Sequence, residues 1–160
     1  KLTGGWRNTL SWKGFDLNSL FSFSLGGKLM DDGALLYTDS DGEMAYYAIG
    51  VQQLDRWQKP GDKTNVPRRI NNYVYARYSS DRHMHTNNYL RLKSLSLSYT
   101  MPKAWTRAAD IQGLRLFVSG SNLLTFQSYK NVDPEQPISG VVEFAFPAMK
   151  SVNFGLELTF

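Results

Sequence analysis

The chain holds 160 residues, 42% of them hydrophobic and 14% aromatic, with a formal net charge of +4. No apolar run approaches the roughly 18 residues that a membrane-spanning helix needs. The basic residues are scattered, which argues against a nucleic-acid partner, and the absence of Cys excludes a disulfide framework and Cys-based zinc sites. With no initiating Met and no signal sequence at Lys1, the chain reads as a piece of a larger protein.

A first strand is expected over residues 5–13, with Trp6, Leu10 and Trp12 on one face and Asn8 among them. Arg7, Thr9, Ser11 and Lys13 take the other face, and Lys13-Gly14 is a tight turn. A second strand, residues 15–25, alternates Phe15, Leu17, Ser19, Phe21, Phe23 and Leu25 with Asp16, Asn18, Ser22 and Ser24; Leu20 is the exception. Both match the roughly 9–11 residues that cross a bilayer at a barrel's tilt. A long excursion, residues 26–87, follows. Ser40 and Glu43 have capping-box spacing, and Met44, Tyr47, Val51 and Leu54 recur at helical spacing. These predict a helix over residues 43–58, stopped by Pro60-Gly61.

The third strand, residues 89–100, sets Leu95, Leu97 and Tyr99 on one face. In its first half Arg91 and Lys93 fall on that face and Leu90 and Leu92 on the other. Either the strand leaves the apolar layer there, or a bulge switches its phase. Residues 101–113 form a short connection with one helical turn around Trp105. The fourth strand, residues 114–125, alternates Leu114, Leu116 and Val118 with Arg115, Phe117, Ser119 and Ser121. A second long loop covers residues 126–148, and a fifth strand residues 149–160. There Val152, Phe154, Leu156, Leu158 and Phe160 alternate with Asn153, Gly155, Glu157 and Thr159.

Apolar-out, polar-in alternation with interfacial aromatics is the pattern of a transmembrane antiparallel β-barrel. The connections run short, long, short, long, as barrels with short periplasmic turns and long extracellular loops do. The C-terminus is then periplasmic. Five strands cannot close a barrel, since the smallest have about eight. The fold class is therefore all-β, five strands of a larger barrel with long extracellular loops, one containing a short helix. Phe160, with Leu158 and Phe154, is read as the assembly signal for the outer-membrane insertion machinery. The rival reading is a soluble β-sandwich carbohydrate-binding module.

Asp39, Asp41 and Glu43 place oxygen ligands at alternate positions beside a Gly turn, which suits Ca²⁺. The full calcium-loop spacing is missing, and a turn entering a capped helix accounts for the same residues. His83 and His85 lack an evident third ligand, and an exposed loop accounts for them. No nucleophile-elbow, phosphate-loop or zinc-protease motif is present, so no catalytic residue and no cofactor is assigned. Tyr37, Tyr46, Tyr47, Trp57, Tyr73, Tyr75 and Tyr78 make the first long loop aromatic, and Tyr129 lies in the second. A sugar ring stacks its apolar face on such side chains. Taken singly, each is accounted for by packing within the loop's own core or against a lid; for the loop as a whole, contact with substrate or lid is the reading.

Four stretches carry a family resemblance. Arg56-Trp-Gln-Lys-Pro-Gly-Asp-Lys-Thr-Asn-Val-Pro67 resembles the R-W-x-x-P-G-D-x-T-x-V-P segment of the SusC/RagA family of TonB-dependent outer-membrane transporters from Bacteroidetes. The stretch from Tyr89 to Pro102 is similar to its Y-L-R-L-K-x-L-x-L-x-Y-x-(L/M)-P. Ser119-Gly-Ser-Asn-Leu-Leu-Thr125 resembles its S-G-x-N-L-x-T, and Tyr129-Lys-Asn-Val-Asp-Pro-Glu135 its Y-K-G-x-D-P-E, with Asn131 in place of the Gly. The resemblance implies a barrel of about 22 strands with an N-terminal plug, of which these are the last five, the plug lying outside this chain. It also implies a SusD-like surface lipoprotein as lid, the TonB complex acting through the missing N-terminal part, and outer-membrane lipid as solvent. The implied role is TonB-dependent import of nutrient oligomers in a Gram-negative outer membrane. Glycans are the first reading of the cargo and peptides the second. The segment at residues 56–67 argues against a siderophore or cobalamin receptor.

Overall fold

The computed structural model describes residues 1–33, 49–70, 78–107, 110–135 and 139–160. Eight strands are formed among the described residues: β1 (Leu2–Trp12), β2 (Phe15–Leu25), β3 (Lys28–Asp31), β4 (Met84–Thr86), β5 (Tyr89–Thr100), β6 (Gly113–Gln127), β7 (Val141–Val142) and β8 (Ser151–Thr159). They divide between two compact units.

The first unit, residues 1–27, 88–128 and 147–160, is an antiparallel sheet in the order β1-β2-β5-β6-β8. Its first hairpin turns on Lys13 (φ 46) and Gly14 (φ 88). Two consecutive left-handed residues make the turn whose twist matches that of antiparallel strands. A Cβ on Gly14 would stand 2.8 Å from the Thr100 carbonyl oxygen, so the position also needs the missing side chain. The Thr100 N–H donates to the Gly14 carbonyl at 2.8 Å, tying the hairpin tip to β5.

The register sorts the side chains by chemistry. Leu10, Leu17, Leu97, Val118 and Phe154 form one cross-strand row. The adjacent row, on the opposite face, is Thr9, Asn18, Ser96, Ser119 and Asn153. Apolar residues dominate the first face along all five strands, with Asn8 opposite Ser19 as a polar pair within it. A face built of Leu, Phe and Trp and left exposed is the lipid-facing side of a barrel wall, and the hydroxyl-rich face is the lumenal one.

The bulge explanation holds for the third expected strand. Leu20 pairs with Ser94 and Phe21 with Leu92, so Lys93 has no partner on β2. The extra residue reverses the phase of everything before it. Leu90 and Leu92 therefore join Leu95 and Leu97 on the apolar face, and Arg91 joins the serines. Across from Lys93, β6 sets two residues, Asn122 and Leu123, and Asn122 takes φ 53. The Asn122 Nδ2 donates to the Met149 carbonyl at 3.0 Å, anchoring the irregularity to the run into β8. The expected helical turn is present as α1 (Lys103–Thr106), entered through Pro102.

The second unit, residues 28–87 and 129–146, holds a sheet in the order β4-β3-β7. β3 pairs antiparallel with β4 and parallel with β7, so the two long loops share one sheet. Leu29 and Val142, each 2% exposed, form its centre. None of these strands was expected from the sequence. The helix expected over residues 43–58 is corrected in its second half. Val51–Asp55 is a 3₁₀ turn and Arg56 is extended; residues 43–48 lie outside the described residues.

Candidate functional site

The stretch at residues 56–67 folds on itself, and its residue types say why. The Asp62 N–H donates to the Lys59 carbonyl at 3.2 Å across Pro60 and Gly61. Gly61 has φ 101, the conformation the third position of a Pro-Gly turn demands. The Asp62 carboxylate then accepts from the backbone N–H of Gln58 at 2.9 Å and of Lys59 at 3.0 Å. The Thr64 hydroxyl accepts from the Val66 N–H at 3.1 Å, and the Trp57 N–H donates to the Val66 carbonyl at 2.8 Å. Arg56 Nη1 donates to the Gln53 carbonyl at 3.0 Å, closing the 3₁₀ turn.

This scaffold leaves Trp57 half-buried on the wall of an open cleft of about 590 Å³, whose lining includes Asn65, Val66, Pro67, Arg68 and Arg82. A second cleft of about 640 Å³ is lined by residues of both signs, among them Asp55, Arg56, Asp62 and Lys63.

Tyr129 is engaged within the loop unit. Its hydroxyl donates to Asp31 Oδ2 at 2.7 Å and accepts from Asn131 Nδ2 at 3.0 Å. Its ring stacks on His85, with centroids 3.8 Å apart and planes within 6°. Burial pushes the His85 pKa below its ordinary value, and the nearby Asp31 carboxylate pulls it partly back. The expectation of an exposed loop for His83 and His85 is corrected: His83 is 3% exposed in the 3₁₀ turn Asp81–His83, and His85 lies in β4. The two small strands around the Tyr129 cluster bury what composition alone read as loop. No group of three metal-ligating side chains is found among the described residues.

Of the other sequence-expected residues, Tyr37, Tyr46, Tyr47, Tyr73, Tyr75, Asp39, Asp41 and Glu43 lie outside the described residues. Phe154 and Leu158 sit exposed on the apolar face, and Phe160, just beyond β8, is exposed too. On the polar face Arg91 is 3% exposed and its Nε donates to Thr125 Oγ1 at 3.0 Å. Arg115 donates to Ser98 Oγ at 3.0 Å and stands 3.8 Å from Glu157. Sequence reasoning missed the pairing of Trp57 with Arg68 and Arg82, and that of Tyr129 with Asp31. Neither has a periodic signal, because both join residues distant along the chain or in irregular backbone.

The chain is 29% identical over 169 residues to TonB-dependent receptor P3 of Formosa agariphila, an alignment covering 99% of this chain and 16% of the relative. It is 23% identical to TonB-dependent receptor P26 of the same organism, over 98% of this chain and 16% of the relative. Two solved structures, the RagAB peptide transporter and the RagAB peptide importer in its closed-closed state, each match 99% of this chain at 27% identity with a TM-score of 0.82. The match covers 17% of each of those chains. The chain thus spans about a sixth of the length of the relatives it matches. No family model matches it. The resemblance to SusC/RagA-type TonB-dependent transporters holds over nearly the whole chain, and the fold is that of a piece of a transmembrane antiparallel β-barrel.

Proposed function

We propose that this chain is the C-terminal part of the barrel of an outer-membrane importer that draws nutrient oligomers through a TonB-energised pore. The observation that carries this reading is the two-faced sheet. It sets apolar residues on one side of five strands and hydroxyls on the other, and its residues match TonB-dependent receptors over 99% of the chain. The sheet supplies wall and lumen, and the two long loops meet in one extracellular body. A SusD-like surface lipoprotein closes over that body as a lid, and β8, with Phe154, Leu158 and Phe160, engages the insertion machinery during assembly. The cargo is an oligosaccharide. The competing peptide reading has a specific support, since the solved structures it resembles are described as peptide importers.

The test is deletion of the full-length gene in its own host, followed by growth on oligosaccharides and peptides as sole nutrient. Growth should fail on oligosaccharides and persist on peptides, and uptake in the wild type should stop when a protonophore collapses the proton gradient; failure on peptides alone would replace the cargo by a peptide. Unchanged growth on every oligomer, or energy-independent uptake, contradicts the reading.

A further inference from the structure

The cleft beside Trp57 differs from its neighbour in charge. Among the described residues its lining holds two guanidinium groups, Arg68 and Arg82, and no carboxylate, whereas the neighbouring cleft pairs Asp55 and Asp62 with Arg56 and Lys63. Trp57 and Pro67 supply apolar wall, and Thr64 and Asn65 stand exposed at the rim. The Trp57–Val66 and Asp62 hydrogen bonds hold this wall in place before any ligand arrives. Binding there orders few groups, which favours affinity.

Resting on the importer reading, we propose that this cleft binds a carboxylate-bearing sugar of an acidic oligosaccharide. The apolar face of the sugar ring lies on the Trp57 indole, its carboxylate meets the Arg68 and Arg82 guanidinium groups, and its hydroxyls face Thr64 and Asn65. A guanidinium fork matches a planar carboxylate bidentately, which an ammonium does not. An acidic peptide shares the charge but not the remaining chemistry. Peptides are commonly held by an added strand, by a helix groove or by a polyproline groove. Residues 49–70 offer a 3₁₀ turn and no strand edge.

The experiment is equilibrium binding to the purified full-length transporter, with hexagalacturonate, maltohexaose and hexaglutamate as probes. Hexagalacturonate should bind tightest, and its affinity should fall about tenfold or more in Arg68→Gln and in Arg82→Gln, the loss expected for one charge-assisted contact. Trp57→Phe should retain most of the binding, and Trp57→Ala should lose it. Equal affinity for hexagalacturonate and maltohexaose, or Arg variants indistinguishable from wild type, overturns the proposal. Hexaglutamate binding tighter than hexagalacturonate with the same Arg dependence overturns the sugar assignment in favour of an acidic peptide. Heat-modifiable migration of the same preparations reports on the barrel separately. A folded barrel without acidic preference removes the cleft assignment and leaves the importer reading in place.

Discussion

Gly155 shows how a single residue sets the lumenal surface. It lies opposite Phe117, and a Cβ there would collide with the Phe117 ring. Glycine leaves room for the Phe117 ring to approach β8 on a face otherwise mostly polar, between Arg115 and Ser119. Gly155→Ala should push the tip of the Phe117 ring aside; the ring is 38% exposed and can yield, so the cost should stay below about 1 kcal/mol. A large drop in the folded, heat-modifiable fraction that Phe117→Ala in the same chain did not restore would contradict the contact. His85 gives a second test. Because its folded pKa lies below the ordinary value of about 6.5, the unfolded loop binds the proton more readily. The loop unit is therefore fully stable above that value and weakens as pH falls below it. Protection factors of the β4 amides, each exchange rate being divided by the intrinsic rate at its own pH, should be lower at pH 5 than at pH 8. His85→Phe, which keeps a ring against Tyr129, should remove the difference; the same dependence in that variant would assign it elsewhere.

At the scale of elements, the five long strands were legible in the sequence because each separates two unlike environments, and a period of two survives wherever that holds. The alternation broke at Arg91 and Lys93 for a physical reason: one unpaired residue in β5 reverses the phase. The break was visible and its cause was not, since a bulge and an exit from the membrane leave the same trace in one strand. The pairing partners decide it. β3, β4 and β7, of two to four residues each, are too short to show a period at all. The Tyr129–Asp31 bond spans 98 positions and left no local mark. Deleting Lys93, which has no partner on β2, should leave Arg91 on the polar face and Leu90 and Leu92 on the lipid face, whereas deleting Ser96, which is paired with Asn18, should reverse them. Assembly should survive the first deletion and collapse in the second. Collapse on loss of Lys93 with tolerance of the Ser96 deletion would contradict the bulge. On β8, Phe154→Arg places a charge on the lipid face at about 2–4 kcal/mol and should reduce the heat-modifiable fraction. Glu157→Leu, on the polar face, should be tolerated, and the reverse result would put the phase out by one.

At the scale of the molecule, the two long loops meet in one mixed sheet, so the loop unit has contributions from both sides of the β5-β6 pair along the chain. The aromatic character of the first loop was legible. Which of its aromatics stand in a cleft was not, because Trp57 is placed by backbone bonds from Asp62 and Val66 and not by any period. The central claim is that the sheet spans the outer membrane with its long loops outside. It is tested most directly by single cysteines in the otherwise Cys-free segment of the full-length protein, probed with a membrane-impermeant maleimide. Lys63→Cys, in the first long loop, should label on intact cells. Lys13→Cys, at the short turn, should label only after the outer membrane is permeabilised. Leu97→Cys, on the apolar face, should label in neither state until the membrane is dissolved. Labelling of Lys13→Cys on intact cells, or labelling of Leu97→Cys as fast as Lys63→Cys, would contradict the account.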